Sequence, residues 1–509
     1  MTGTPKQAAS IGDAGDGSPP DLCRQPAQQA VALLRRGAVS PVEMVEAALA
    51  RIAAVDHAIN ALPTVCAERA LQRARSLECG GSACRQERAR DRGWLGGLPI
   101  VVKDITDVAQ VRCTFGSRLY AERVPVRSDI AVENLERHGA IVIAKSNTPA
   151  FASSGGMGTY NDLFGVTRNP WNLELTCGGS SGGSAAALAA GEAWLATGTD
   201  LGGSLRQPAA FCSVVGLRPT PGRVARSEPV QPDDRLCVIG PMARTVADVA
   251  LMLDAMSGID ERDPLSLPAP AVAFSTQAKP ARALSRIAFS PTLGLCPVSA
   301  EVETLCEQAV MQFAGPRTRV VSDCPDLLAA KAVLDTLRPA WLAAHWAHLL
   351  DCDRDRLDPD FAARLERGRQ LDPARIRDAH EQCDALSHQA VEFFRRYDVL
   401  ATPTVPVAPF PAATRKIIEI DGQPLLHDSD WMLLTYAISL TGCPAISLPC
   451  GFTVDGRPVG LQLVAAPGRD GELLAAAAWL ESRLGISRLT PLQPRSGIHE
   501  KPMSLRAQS

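Results

Sequence analysis

The sequence predicts an α/β fold: one large domain with a helical insertion. Three observations point there. Short apolar strand-like runs alternate with amphipathic helical runs in the first half of the chain, a rhythm that argues for α/β over all-α or all-β. Residues 299 to about 395 then turn mostly helical, with charges throughout. After them the apolar strand pattern returns. A length of 509 residues accommodates one large α/β domain or about two to three ordinary ones, and no internal repeat divides it.

Residues 1–22 are polar and small and read as a disordered leader, without the apolar stretch of a signal peptide. The main domain is expected over 23–490. Ser40-Pro41-Val42-Glu43 is a capping box with proline at the first helical position, and it predicts a helix through about Ala54. Gly97 to Asp104 reads as a buried strand ending in charge. Ser128 to His138 reads as a helix stopped by Gly139, and Ala140 to Lys145 as a second strand. Thr245 starts a helix over Val246 to Met256 that stops near Gly258. Residues 259–284, rich in Pro, Asp and Ala, read as a surface connection. Strands are expected at Val399-Leu400-Ala401, Ala445 to Leu448 and Val459 to Val464. A last helix is expected from about Gly471 to Leu484, and a flexible tail over 491–509.

Composition excludes several classes. Hydrophobic residues are 46% and charged residues 21%, enough apolar surface to rule out a largely disordered chain. The net charge is −3 with no long single-sign block, which argues against a nucleic-acid or anionic-membrane surface. No run of about 18 apolar residues predicts a spanning helix. The 15 cysteines are odd in number and lack a CxxC, so reduced thiols in a cytoplasm are expected. Histidines number 8, and lysines stand only at positions 6, 103, 145, 279, 331, 416 and 501. Bases able to accept a proton are therefore scarce, because arginine stays charged.

The centre of the chain is unusual. Cys177-Gly178-Gly179-Ser180-Ser181-Gly182-Gly183-Ser184 runs into a small-residue apolar helix, and Gly198-Thr199-Asp200-Leu201-Gly202-Gly203-Ser204-Leu205-Arg206 follows. A Gly/Ser run alone suggests a linker, but linkers lie between domains and not inside an αβ pattern. A phosphate-binding loop needs a Gly-Lys-Ser/Thr end, and Ser184-Ala185 stands there. A dinucleotide loop needs a preceding strand, against which Pro170 and its neighbouring asparagines argue. Gly178-x-Ser180-x-Gly182 does match the nucleophile elbow of serine esterases. That elbow also needs a preceding strand and a distant histidine. No histidine lies between His138 and His345, which leaves His427 as a late partner.

Amide hydrolysis needs a nucleophile, a base and donors for the developing oxyanion. Two glycine-flanked serines and a strand-end lysine after Ile100-Val101-Val102 can supply the first two. Lysine serves as a base only where burial lowers its pKa. Taken by itself, Lys103 is more often a plain strand-end lysine.

At these residues the chain resembles the amidase signature family. The resemblance covers Gly97 to Asp104, Ala144 to Pro149, Arg168 to Asn172, and the blocks 178–191 and 198–224. It resumes at Thr402-Pro403-Thr404 and Gly442 to Pro449 and ends at Gly460-Leu461-Gln462. The helix near 41–54 also looks like the family's usual start. The resemblance implies a mixed central sheet flanked by helices on both faces, with the insertion at about 299–395. It implies a Ser-cisSer-Lys triad in which Lys103 is the base, Ser180 the bridging serine after a cis peptide, and Ser204 the nucleophile. The backbone N–H groups of Leu201, Gly202, Gly203 and Ser204 are then expected to form the oxyanion hole. Asp200 and Arg206 are expected to anchor the loop. Ser181 and Ser184 read as helix N-terminal caps, with Ser181 in support of the site.

The implied activity is hydrolysis of a carboxylic amide to acid plus ammonia or amine through a seryl acyl-enzyme. No cofactor or metal is expected. His345 and His348 lack a third ligand motif and read as helix surface. Lys145 is the rival lysine, expected on backbone carbonyls or solvent, and Cys177 reads as a packing residue. Leu201 stands where the family mostly carries threonine. Pocket residues are expected from Phe151 to Tyr160, from the insertion, and from the segment with Trp431 and Tyr436, suggesting a partly apolar acyl group. The partner is expected to be a small-molecule amide, with neither nucleic acid nor membrane, for a monomer or homodimer. Two alternatives stay open: the amide-hydrolysing component of a glutamine-dependent amidotransferase, suggested by Arg206 to Cys212, and a serine esterase of another fold using Ser180.

Overall fold

The computed structural model describes residues 22–78, 91–153, 157–227, 234–279, 284–427 and 429–496. The expected leader falls outside the described residues apart from Leu22, as does 497–509 of the expected tail.

The core is a mixed sheet of 11 strands. In chain order they are β1 (Thr64–Val65), β2 (Pro99–Lys103), β3 (Ile141–Ser146), β4 (Leu195–Asp200), β5 (Val215–Arg218), β6 (Val238–Ala243), β7 (Arg286–Phe289), β8 (Arg319–Ser322), β9 (Val399–Pro403), β10 (Ala445–Phe452) and β11 (Pro458–Val464). Across the sheet they run β1-β3-β2-β4-β6-β5-β10-β11-β9-β7-β8. β2 lies parallel to both β3 and β4, and β7 lies parallel to β8 and β9. The other neighbours are antiparallel. The sequence explains the centre: every residue of β2, β3 and β4 is buried, as continuous apolar runs between covered faces require.

Helices cover the sheet on both faces. They include α1 (Pro41–Ile59), α2 (Ile130–Arg137), α3 (Gly182–Ala190), α4 (Arg206–Cys212), α5 (Val246–Met256), α6 (Ala300–Val310), α7 (Ala330–Trp346), α8 (Pro359–Arg369), α9 (Pro373–Phe393), α10 (Leu433–Leu440) and α11 (Asp470–Leu484), beside the helices Ala27–Arg36 and Ala67–Glu78 and shorter turns. The capping box forms as expected: Glu43 N–H donates to Ser40 Oγ at 3.1 Å, and Ser40 N–H donates to Glu43 Oε2 at 2.7 Å. α1 runs past Ala54 to Ile59, because Ile52, Val55 and Ile59 extend its buried face. Asn60 ends it in the left-handed conformation. α5 is capped by Thr245, whose side chain accepts from Asp248 N–H.

The 299–395 stretch is mostly helical, as expected, and holds one strand that was not expected, β8, which pairs with β7 at the edge of the sheet. Arg-Val-Val-Ser is too short and too polar to stand out among helices. The tail is not loose from 491 onward, since Leu492 N–H donates to Ala189 O at 3.0 Å and Arg495 N–H donates to Pro170 O at 3.2 Å. A side chain explains this local order, for Leu492 is buried.

Candidate active site

Lys103 ends β2, and its backbone N–H donates to Thr197 Oγ1 on β4 at 3.1 Å. Its side chain is fully buried. Nζ donates to Ser180 Oγ at 2.6 Å and to Thr199 Oγ1 at 2.9 Å. Burial lowers its pKa to about 7, against the weaker opposing pull of Cys237 and Asp200. The desolvation argument for a lysine base is met.

Ser180 lies in the turn between the ribbon strand Asn172–Thr176 and α3, and the Gly179–Ser180 peptide is cis. Gly178, at φ 72°, packs so closely that a Cβ there would meet Phe211 and Pro208 at 3.1 and 3.2 Å. Ser181 N–H donates to Ser204 O at 3.2 Å, which ties the two serine segments together. Ser180 and Ser204 line one cavity of about 950 Å³, together with Thr199, Leu201 and Gly202.

The loop from Asp200 to Arg206 is held from beneath. Arg206 Nε donates to Asp200 Oδ2 at 2.9 Å and Nη2 to Oδ1 at 2.8 Å. Arg206 also donates to Gln462 Oε1 and Ser439 Oγ, and Arg218 donates to the Asp200 carbonyl. Burial would raise the Asp200 carboxyl, but Arg206 and Arg218 override it and hold it at about 2. Leu205 N–H donates to Asp200 Oδ2 at 3.2 Å. Gly203 N–H donates to Asp200 Oδ1 at 2.7 Å, which corrects the expectation for that amide. It faces the anchor, whereas Leu201, Gly202 and Ser204 line the cavity.

Other expected residues divide as follows. Ser181 occupies the N-cap position of α3 without a capping bond. Its Oγ instead accepts from Thr199 N–H at 3.3 Å. Ser184 lies within α3 and donates to Thr197 O at 2.8 Å, so both serines bridge helix to strand and do not cap. A helix made of Gly, Ser and Ala comes close enough to β4 for short hydroxyls to reach it. Lys145 donates to Thr106 O at 2.6 Å and lies 3.7 Å from Asp104 Oδ1, away from the serines. Cys177 is buried against the Thr167 carbonyl, and burial pushes its thiol up to about 12. His345 is not plain helix surface: it lines the cavity, stacked on Trp341 at 3.8 Å. Among the described residues no group of three His, Cys, Asp or Glu is placed to hold a metal.

Phe151, Ala152 and Ser153 line the cavity, as do side chains of α7 and Tyr436. Trp431 does not: it is fully buried between Phe211 and Phe410. Sequence reasoning missed Thr197 and Thr199. Polar residues at i and i+2 in an otherwise apolar strand share one face, and that was the available signal. It also missed the 123–129 segment and Cys237 on the cavity wall, which carry no motif.

A family model described as Amidase matches residues 43–474. The chain is 34% identical over 449 residues to an acylamidase of Rhodococcus erythropolis, covering 87% of this chain and 92% of that one. It is 35% identical over 470 residues to a glutamyl-tRNA(Gln) amidotransferase component of Symbiobacterium thermophilum, covering 87% and 94%. Among solved structures, a bacterial aryl acylamidase of the amidase signature family superposes with a TM-score of 0.82 at 25% identity, covering 92% of this chain and 99% of that one. A 6-aminohexanoate cyclic dimer hydrolase superposes at 0.81 and 26%, covering 93% and 99%. This chain belongs to the amidase signature family and is an amidase, a hydrolase of linear amide carbon–nitrogen bonds. The esterase of another fold is thereby removed.

Proposed function

We propose that Ser204 is the nucleophile of this amidase, Ser180 the bridging hydroxyl and Lys103 the base. The observation that carries the reading is the buried contact of Lys103 Nζ with Ser180 Oγ at 2.6 Å, on a cavity that Ser204 shares. Neutral Lys103 takes the Ser180 proton as Ser180 takes that of Ser204. Ser204 Oγ bonds to the amide carbon, and the oxyanion is held by N–H groups of Leu201, Gly202 and Ser204. The proton then returns through Ser180 to the nitrogen as the carbon–nitrogen bond breaks. Ammonia or amine leaves, and an ester to Ser204 remains. Water attacks that ester, passes its proton along the same relay and frees the acid. Leu201, Phe115, Phe151, Trp341 and Trp346 offer an apolar and aromatic wall, which favours an amide with an apolar or aryl part.

The protein works on a small-molecule amide in the cytoplasm, as a monomer or homodimer, independent of nucleic acid. No helix among the described residues is long and apolar enough to cross a membrane. The amidotransferase component remains the second reading, favoured by its 35% identical relative.

Fluorophosphonate labelling tests the roles. The adduct is expected on Ser204 and is expected to disappear in Ser204→Ala. An adduct on Ser180 in the unaltered enzyme reverses the assignment.

A further inference from the structure

We infer that Arg338 is a specificity-determining residue that receives a carboxylate carried by the amide substrate. The inference rests on the reading that the cavity at Ser204 is the reaction site. Arg338, Trp341, Leu342 and His345 follow the i, i+3, i+4, i+7 spacing of one helical face, and all four line that cavity. The insertion therefore presents one cation among apolar groups to the substrate.

Among the other charged residues of the cavity, Arg123, Asp129 and Arg262 have partners. Arg123 donates to both oxygens of Asp107, at 2.7 and 2.6 Å. Asp129 accepts from the N–H groups of Ala131 and Ser227. Arg262 pairs with Glu133 and Asp260. Arg127 is exposed. Arg338 is half-buried, and among the described residues no carboxylate lies in salt-bridge contact with it. Its guanidinium sits 5.4 Å over the Tyr436 ring. Tyr436 in turn packs on Gly202, where an added Cβ would fall 1.7 Å from its ring. Arg338 thus stands one aromatic ring away from the loop that carries Ser204, at a distance suited to the far end of a small substrate.

Packing adds a second positive charge. Gly368 lets α8 approach α7 so closely that a Cβ there would meet Pro339 O at 2.0 Å. Arg364, one turn before Gly368, is brought toward Arg338. Burial first and then the Arg338 charge lower Arg364, and Asp358 and Asp360 oppose this only in part. Arg338 is left as the guanidinium facing the cavity. A planar fork with two parallel donors matches a carboxylate, and a half-buried site makes that match count.

The test uses two matched pairs of amides: 4-carbamoylbenzoate with 4-methylbenzamide, and glutaramate with pentanamide. Ammonia release is measured for the unaltered protein, Arg338→Met, Arg338→Lys and Arg338→Glu, each checked for folding by thermal melting. In at least one pair the carboxylate amide is expected to be favoured at least about tenfold in kcat/KM, roughly what one charge-assisted contact supplies. The ratio is expected to collapse toward one in Arg338→Met, to survive partly in Arg338→Lys and to invert in Arg338→Glu. Hydrolysis of neither carboxylate amide, equal or better hydrolysis of both neutral ones, or a preference that survives Arg338→Met overturns the inference. Turnover of the neutral amides by the untreated protein, with Ser204 as the labelled residue in a separate fluorophosphonate-treated sample, leaves the amidase mechanism standing. Loss of Ser204 labelling counts against the mechanism itself.

Discussion

Lys103 can act as a base at neutral pH because burial disfavours its ammonium form. The sign follows directly. Below about 7 the lysine is charged and cannot accept the Ser180 proton, and above it the neutral form dominates. With an uncharged amide, kcat/KM is expected to rise about tenfold per pH unit on the acid side and to level off above that value. Lys103→Met is expected to lose at least about a thousandfold in kcat, and the acid limb with it. A flat profile between pH 5 and 8 for the unaltered enzyme counts against the lysine base. Much at this scale was legible beforehand. Scarce lysines and two glycine-flanked serines drew attention to this segment, and the family resemblance implied the roles of Lys103, Ser180 and Ser204. Thr199 was not marked, because a threonine in a strand is ordinary until the lysine beside it is known. Gly203 was misjudged because the direction of a backbone N–H depends on where the Asp200 carboxylate sits.

The elements do the positioning. β2 delivers Lys103, the turn before α3 delivers Ser180, and the loop from β4 to α4 delivers Ser204. That loop is fastened through Asp200, which compensates two buried arginines. Asp200→Asn leaves Arg206 and Arg218 without their counter-charge, and breaking a buried pair on one side costs about 3 to 5 kcal/mol. Urea denaturation is expected to show a loss of that order, and activity is expected to fall with it, because an amide NH2 cannot replace the second carboxylate oxygen in accepting from the loop N–H groups and Arg206. An unchanged midpoint would show that the loop is held by other contacts. The capping box of α1 was readable from four residues because capping is a local interaction. β8 was not, because a four-residue edge strand is defined by its neighbour β7 and not by its own pattern.

At the scale of the whole molecule, the question is whether the chain acts by itself. The relatives include an acylamidase and a component of an amidotransferase. The α7 side chains close one wall of the cavity from within this chain. The purified protein is therefore expected to release ammonia or amine from simple amides with no partner added. Activity assayed alongside native mass measurement checks this. Amide turnover that appears only on adding an amidotransferase partner would favour the second reading.

By itself the sequence determined the fold class and the family, because glycine-rich turns, helix caps and buried apolar runs are written in short local patterns, and the family resemblance implied the three residues of the proposed triad. The tertiary structure decided what those patterns face. It showed that Leu201, Gly202 and Ser204 line the cavity while the Gly203 amide is spent on Asp200, and that of Trp431 and Tyr436 only Tyr436 lines the wall. It also brought Arg338 beside the reaction loop from more than a hundred residues away. The physical reason is that contacts distant in sequence depend on how helices and strands pack, and no local pattern carries that information.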